Sequence, residues 1–343
     1  MNIDQQTSDQ QNSARAGAGH EETEGHLIEH LSPPSTRLTL TLHDAAPAGR
    51  GVALALHGGA GGRIAELSNE ERHEFETGLA IAYSAGRGVL ARGGTALDAV
   101  CATVQQLEDN PLFTAGRGAA LTARGEAELD ASIMDGAGRA GAIASSRYAR
   151  NPILAARRVM DDTDHVLLMA PSRALIEDWG LRTVEAEYFV TAVRQRQLER
   201  VRSRELAASR HGTVGAVAVD AAGNLAAATS TGGMVNQAEG RVGDTPIIGA
   251  GNYARNGVTA ISCTGEGEAF IRGVVAHDIS ARMRYLGATL GEAVSGTIDE
   301  ELTAKAASGG LVAVDASGRV VVAHNSPMMF AAFEQDGRLV LLA

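Results

Sequence analysis

The chain has 343 residues, of which 44% are hydrophobic and only 3% aromatic, and its formal net charge is -11. This acidic balance argues against nucleic acid as the main partner, because phosphate binding requires a basic surface. No run of 18 or more apolar residues is present, so we expect no transmembrane helix. The two cysteines, Cys101 and Cys263, lie in apolar runs outside any CxxC pair, which disfavours a disulfide framework and a zinc site.

The first 36 residues are polar and contain no apolar segment of the kind found in signal peptides. We therefore predict a disordered tail over residues 1–36, one domain over residues 37–343 and a cytoplasmic location.

Apolar patterning then predicts strands at 38–42 and 52–56, the second followed by a glycine-rich loop at 57–62. Helical periodicity over 67–108 is interrupted at 93–94, and Thr95 is suited to cap the second helix. The next segments are predicted as short strands at 119–122, 127–134, 140–145 and 166–169 and as helices at 152–160 and 173–179.

Residues 191–212 differ from their surroundings, with six Arg and two Glu and few apolar residues. A basic stretch of this kind can be an RNA-binding arm, but a flexible solvated linker or a frayed helix is the commoner form. The acidic net charge also counts against the arm.

After this linker the pattern becomes that of strands. Residues 214–220 and 225–230 predict a hairpin, and the segment Val217–Gly223 is repeated closely as Val312–Gly318, which predicts a second one. Helices are predicted between them, at 268–286 and 289–306. Strands at both ends with helices between favour an α+β fold of stacked sheets covered by helices.

The predicted hairpin brings two threonines together. Thr213 opens its first strand directly after Gly212, and Thr231 closes its second strand, so both hydroxyls belong at the same end of the hairpin. A Gly-Thr pair alone is most often an ordinary strand start.

Two glycine-bounded segments downstream carry further candidates. Thr264 and Gly265 end a predicted strand where a helix begins, and backbone N–H groups at such a junction favour negative charge. Arg241 and Asp244 are three residues apart in one loop. They suit the carboxylate and ammonium of an amino acid, although an ordinary loop salt bridge is the alternative.

Eight short motifs keep an order and spacing that resemble the plant-type asparaginases, also called isoaspartyl peptidases, a branch of the N-terminal nucleophile hydrolases. The resemblance covers roughly residues 50 to 340. The motifs are HGGAGG at 57–62, GTALDAV at 94–100, LEDNPLF at 107–113, ELDASIMDG at 128–136, GTVGAVAVD at 212–220, STGGM at 230–234, GRVGD at 240–244 and CTGEGE at 263–268.

The resemblance implies a four-layer αββα sandwich and self-cleavage between Gly212 and Thr213. An α subunit (residues 1–212) and a β subunit (residues 213–343) would result and assemble as (αβ)₂. The implied substrates are L-asparagine and β-aspartyl dipeptides, and no cofactor is needed for catalysis.

The resemblance also assigns roles to residues. Thr213 would be the nucleophile, with its own freed α-amino group as the base that a Thr hydroxyl needs. The other roles are support of the nucleophile by Thr231, an oxyanion hole from Thr264 and the N–H of Gly265, binding of the substrate carboxylate by Arg241, and binding of its ammonium by Asp244 with the carbonyl oxygens of Gly265 and Gly267.

A structural sodium ion is implied as well, held by main-chain carbonyls that match Leu107, Glu108, Asn110, Phe113, Ala115 and Arg117. The chain departs from the family pattern here, with Thr114 in place of the usual Asn and Arg117 in place of a small or apolar residue.

Two alternatives remain open at this point. A glycosylasparaginase shares the GRVGD-type loop but is less similar at CTGEGE and STGGM. An inactive scaffold with the same fold is disfavoured because every catalytic position is present.

Overall fold

The computed structural model describes residues 38–46, 51–61, 67–203 and 212–343. The N-terminal tail predicted over residues 1–36 lies outside the described residues. Leu38–Ala343 form one unit. None of the helices in the described ranges is long and apolar enough to span a bilayer.

The strands and helices alternate along the chain in several blocks. The strands are β1 (Thr41–Ala45), β2 (Ala53–Ala60), β3 (Leu129–Asp135), β4 (Ala140–Ser146), β5 (Leu167–Met169), β6 (Val214–Val219), β7 (Leu225–Thr231), β8 (Asn252–Arg255), β9 (Thr259–Gly265), β10 (Gly309–Asp315), β11 (Val320–His324), β12 (Met329–Gln335) and β13 (Arg338–Leu342). The helices are α1 (Asn69–Ala91), α2 (Ala96–Asp109), α3 (Pro152–Asp162), α4 (Arg173–Asp178), α5 (Ala192–Arg202), α6 (Gly267–Gly273), α7 (Val275–Leu286) and α8 (Leu290–Thr297).

The strands form two sheets. The larger has the order β13-β12-β2-β6-β7-β3-β4-β5, and the smaller has the order β1-β11-β10-β9-β8. Neighbouring strands are antiparallel except for β4 and β5. Both predicted hairpins are present, as β6 with β7 and as β10 with β11.

Side chains on the central strands alternate between separate apolar clusters, because successive residues of a strand point to opposite faces. In β6, Ala216 and Ala218 pack with α1, α2 and α3, while Val217 packs with residues of the smaller sheet. In β10, Val312 joins the cluster between the sheets, and Leu311 packs with α6, α7 and α8. The structure is therefore a mixed α/β fold with two sheets and helices packed against them, as the two-sheet prediction expected.

The caps of the first two helices follow from local chemistry. Ser68 and Glu71 form a capping box at the start of α1. The predicted cap of α2 is confirmed, since the Thr95 side chain accepts a hydrogen bond from the N–H of Asp98.

Three local predictions are wrong. Strand β2 continues through the expected glycine-rich loop to Ala60, because it pairs with β6 on one side and β12 on the other. The expected strand at 119–122 is irregular, and the N–H of Asn236 bonds to the carbonyl of Leu121. The expected helix at 268–286 is broken at Val274, which has φ 47°.

The linker predicted over 191–212 also needs correction. Its first half is helix α5, whose Leu198 and Val201 are buried against Leu121 and Phe189. Leu198 and Val201 are three residues apart and therefore lie on one side of the helix. The arginine-rich composition of the segment concealed this apolar face. Residues 204–211 lie outside the described residues.

Candidate active site

The two threonines of the hairpin are in hydrogen-bond contact at the start of β6. The Thr213 hydroxyl donates to Oγ1 of Thr231 at 3.2 Å, and the Thr231 hydroxyl donates to the carbonyl oxygen of Gly212 at 2.7 Å. Both threonines are buried. One hydroxyl therefore contacts the candidate nucleophile and the carbonyl that precedes it.

The hairpin register produces this arrangement. Val214 pairs with Ser230, so the residues just outside that pair, Thr213 and Thr231, meet at one end of the sheet. The N–H of Gly233 then donates to Oγ1 of Thr231 at 3.0 Å, which fixes the orientation of that hydroxyl. Gly233 has φ 75°, a conformation in which glycine carries no steric penalty.

A buried polar network lies beneath Thr213. His57 of β2 bonds through Nδ1 to the carbonyl oxygen of Thr213 at 3.0 Å and through Nε2 to Oγ of Ser262 at 2.9 Å. Burial lowers the pKa of His57 to about 3, against the opposing effect of its hydrogen bond to the Thr213 carbonyl, so the ring is neutral. Since a carbonyl only accepts, Nδ1 carries the proton and Nε2 accepts from the Ser262 hydroxyl.

The predicted oxyanion-hole residues lie at the end of β9. The N–H of Ala60 donates to Oγ1 of Thr264 at 3.2 Å, which leaves the hydroxyl hydrogen of Thr264 available to a ligand. Gly265 has φ 148°, and a Cβ built on it would lie 2.5 Å from the Cα of Gly309. Only glycine fits there, because any side chain at this position would clash with the neighbouring main chain.

Arg241 and Asp244 converge on Gly267, where α6 begins. A Cβ built on Gly267 would lie 2.9 Å from both Nη2 of Arg241 and Oδ1 of Asp244. The guanidinium pairs with the carboxylate of Glu268 at 3.0 and 3.1 Å. Arg241 therefore forms its ion pair with Glu268 of α6, and not the loop salt bridge with Asp244 that the sequence left open as an alternative.

Asp244 is buried, and within the described part of the chain its Oδ2 atom has no hydrogen-bond partner. Burial, with smaller contributions from Glu268 and Asp130, raises the pKa of Asp244 to about 7, against the opposing effects of a backbone hydrogen bond and of Arg241. A buried carboxylate oxygen without a partner is costly to keep, so this site favours a cationic ligand group.

The sequence of residues 50–341 matches the family model described as Asparaginase. The chain belongs to the asparaginase family. It is similar to the isoaspartyl peptidase of Salmonella typhimurium, 44% identical over 83% of this chain and 96% of the relative. The isoaspartyl peptidase of Escherichia coli is 43% identical over 83% and 94%, and the isoaspartyl peptidase/L-asparaginase of Homo sapiens is 39% identical over 83% and 94%.

In this asparaginase-family chain, the residues matched to the sodium loop lie at the end of α2 and in the loop that follows. Main-chain oxygens converge there on two glycines. A Cβ built on Gly118 would lie 2.1 Å from the oxygen of Phe113, and one built on Gly116 would lie 2.4 Å from the oxygen of Glu108. Carbonyl oxygens suit a hard cation. In the described ranges, no group of three or more His, Cys, Asp and Glu could hold a metal ion.

The two departures from the family pattern in this loop have separate surroundings. The guanidinium of Arg117 lies over the ring of Tyr188, 5.7 Å from its centroid, so this side chain has a partner outside the loop. Thr114 instead packs directly against Gly212, since a Cβ built on Gly212 would lie 2.2 Å from Oγ1 of Thr114.

A cavity of about 870 Å³ adjoins Gly212 on the side of α5. Its walls include the β2 glycines, the stacked rings of Phe75 and Phe330, Thr114 and Arg194. Sequence reasoning missed His57, which contacts the Thr213 carbonyl, and Arg194, which lines this cavity. His57 stood in a presumed loop and Arg194 in a presumed linker, and neither pattern revealed the distant partners.

Proposed function

We propose that this chain cleaves itself between Gly212 and Thr213, and that the freed Thr213 hydrolyses L-asparagine and β-aspartyl dipeptides. The observation that carries the proposal is the double contact of the Thr231 hydroxyl, with Oγ1 of Thr213 on one side and the oxygen of Gly212 on the other. Family membership supports the same conclusion.

In self-cleavage, Oγ1 of Thr213 attacks the carbonyl carbon of Gly212 and transfers its proton, through Thr231, toward the departing amide nitrogen. The hydrogen bond from Thr231 stabilises the negative charge that develops on the Gly212 oxygen. The peptide bond becomes an ester as the Thr213 amine is released, and water hydrolyses the ester to a Gly212 carboxylate and the free Thr213 hydroxyl.

The mature enzyme then uses this amine as the base. Its pKa, about 7.7–8.0 in model peptides, lets it accept the proton of the Thr213 hydroxyl near neutral pH. Oγ1 attacks the β-amide carbonyl of the substrate, and the Thr264 hydroxyl and the N–H of Gly265 donate to the oxyanion. Ammonia or an amino acid leaves with the proton, and water hydrolyses the acyl-enzyme.

The substrate class follows from the pair of charges beside this centre. Arg241 binds the α-carboxylate, and Asp244 binds the α-ammonium with the carbonyl oxygens of Gly265 and Gly267. The unpartnered Oδ2 of Asp244 and the convergence of both side chains on Gly267 support this assignment. The names of the relatives, isoaspartyl peptidase and L-asparaginase, agree with it.

The architecture that we propose is the four-layer αββα sandwich, supported by the three successive clusters on and between the sheets. We further propose (αβ)₂ assembly, a structural sodium ion held by the carbonyls of residues 107–117, and a cytoplasmic location, which suits two buried free thiols. Light scattering would give the assembly mass. Replacing sodium by choline at constant ionic strength should lower the melting temperature if the ion binds.

The central experiment combines a denaturing gel with substrate assays. Wild-type protein should yield two chains, the smaller beginning with Thr213, and should release ammonia from asparagine and leucine from β-Asp-Leu. Thr213→Ala should stay full length and inactive. Wild-type protein that stays intact and inactive would identify a scaffold, and a preference for glycosylated asparagine would identify a glycosylasparaginase.

A further inference from the structure

Helix α5 carries an arginine whose guanidinium enters the loop beside the scissile bond. Nε of Arg194 donates to the carbonyl oxygen of Gly118 at 2.7 Å, and Nη2 donates to that of Leu112 at 3.1 Å. Burial lowers the pKa of Arg194 to about 10, so the group stays charged at neutral pH. Hydrogen bonds from a charged donor are stronger than neutral ones, which makes this a firm attachment of α5 to the loop.

The same guanidinium also holds Thr114. Nη2 of Arg194 donates to Oγ1 of Thr114 at 3.0 Å. Thr114 in turn lies against the residue on the acyl side of the scissile bond, with its Oγ1 and Cβ 2.2 and 2.3 Å from where a Cβ of Gly212 would be.

Thr114 also reaches the end of β7 through its main chain. Its carbonyl oxygen accepts from the N–H of Gly232 at 2.9 Å, directly after Thr231. Arg194 therefore holds Thr114, which contacts Gly212 on one side and Gly232, the neighbour of Thr231, on the other.

We propose that Arg194 is a positioning residue for self-cleavage: it fixes Thr114 against Gly212 and so keeps the Gly212 carbonyl carbon within reach of the Thr213 hydroxyl. This inference rests on the proposed function. It places part of the cleavage machinery upstream of the cut, on helix α5.

The role is specific to the cleavage step. Before cleavage, Thr114 constrains a carbonyl that is covalently attached to Thr213. After cleavage that bond is gone: Arg241 and Asp244 hold the charged groups of the substrate, and Thr264 binds its scissile carbonyl. Loss of the guanidinium should therefore slow cleavage far more than turnover.

Arg194→Met removes the donors and keeps the aliphatic stem. A displacement of about 1 Å at a reacting centre can cost on the order of 100-fold in rate, so we expect cleavage to slow by about tenfold or more. Arg194→Lys keeps the charge but not the planar fork, and should be intermediate. Arg196→Met is the matched control, because Arg196 is exposed on the same helix.

The experiment follows full-length chain by denaturing gel and intact mass after rapid purification. Once cleavage is complete, kcat and KM on β-Asp-Leu are measured per free Thr213 N-terminus, together with the melting temperature. We expect slow cleavage in Arg194→Met, with kcat and KM within about threefold of wild type, a small effect beside the loss expected for cleavage.

Thr114→Val provides a second line of evidence, since it keeps the bulk against Gly212 but loses the acceptor. It should slow cleavage, and combining it with Arg194→Met should add little further, because both changes break one interaction. Fully additive effects would contradict the proposal.

Two other results would also overturn it. One is cleavage of Arg194→Met at the rate of Arg196→Met. The other is a parallel loss of cleavage, turnover and melting temperature in Arg194→Met and Arg194→Lys, which would make the residue structural only. If wild-type protein itself stays intact, the proposed function fails, which is a distinguishable result.

Discussion

The Thr231 hydroxyl bridges Gly212 and Thr213, donating to the carbonyl oxygen of the first at 2.7 Å and accepting from the hydroxyl of the second at 3.2 Å. A hydroxyl has one hydrogen, and here it is committed to the carbonyl, so a lone pair faces the proposed nucleophile. In the proposed cleavage, the same side chain would both polarise the carbonyl and receive the proton.

Thr231→Val should therefore slow self-cleavage strongly while keeping the shape of β7. Loss of one oxyanion donor costs on the order of 100- to 1,000-fold in comparable hydrolases. Thr231→Ser, which restores the hydroxyl, serves as the control. A time course of the full-length band measures the effect, and a Val variant that cleaves at the wild-type rate would exclude this role.

Asp244→Asn should separate substrate binding from self-cleavage. The proposed cleavage chemistry uses no atom of Asp244, whereas the substrate ammonium would lose its buried countercharge. Such a loss is worth about 2 kcal/mol or more, which raises KM about thirtyfold or more. Steady-state kinetics on asparagine would give KM and kcat, with a gel to follow cleavage. An unchanged KM would remove Asp244 from the substrate site.

Glu268→Gln should increase affinity and shift the pH profile. Glu268 occupies the guanidinium that we propose for the substrate carboxylate, so its neutralisation should lower KM at pH 8. It also contributes to the raised pKa of Asp244, about 7, below which the proposed ammonium site loses its charge. In wild type, kcat/KM should therefore fall as the Thr213 amine is protonated, at about pH 7.7–8.0 in model peptides, and fall again as pH drops through about 7. Only this second acid limb should move to lower pH in the variant.

A pH series of kcat/KM from 5 to 9 would test this, with Glu239→Gln as the control. Glu239 is an exposed acid that pairs with Arg124. It lies in the connection between β7 and β8, which also carries Arg241 and Asp244. A second acid limb that stays in place in Glu268→Gln would contradict the predicted coupling.

His57→Leu should destabilise the uncleaved protein, because it removes the donor to the buried Thr213 carbonyl, while the Ser262 hydroxyl keeps Thr229 and the Ala228 carbonyl as partners. Leaving a buried acceptor unsatisfied costs about 1–3 kcal/mol. Urea unfolding in a Thr213→Ala background, where every variant stays full length, would measure it. His57→Asn, which can still donate to the Thr213 carbonyl, should lose less, and equal stability of all three proteins would argue against the network.

The lowered pKa of His57 gives the same variant a pH signature. Because the unfolded ring takes up a proton near pH 6.5 and the folded ring only near 3, the stability of the parent is present above pH 6.5 and is lost as pH falls toward 3. His57→Leu should show a smaller loss between pH 7 and 4.5. An identical slope would mean that the ring is not neutral in the folded protein.

Local patterns were sufficient to predict the hairpin and its two threonines. Alternation on either side of a short turn determines which residues lie at the open end, and Val214 does pair with Ser230. The second hairpin followed for the same reason. The cap at Thr95 was predictable because its partner, Asp98, lies three residues away.

Contacts between distant segments were not predictable in this way. His57 is separated by 156 residues from Thr213 and by 205 from Ser262, and its glycine neighbours resemble a loop. Arg241 was expected to lie beside Asp244, yet it also pairs with Glu268 once α6 brings that carboxylate back. In α5, the charge of the arginines dominated the composition and hid a buried face.

The strand order of the larger sheet has a consequence for a chain cut before Thr213. Strand β2 comes from the upstream piece but lies between β12 and β6, which both come from the downstream piece, and β7 then pairs with β3 of the upstream piece. The two polypeptides would be interdigitated within one hydrogen-bonded sheet. Separating them would require unfolding of the sheet. The cleaved protein should therefore behave as one folded unit with a free Thr213 terminus, and its two polypeptides should not exchange between molecules.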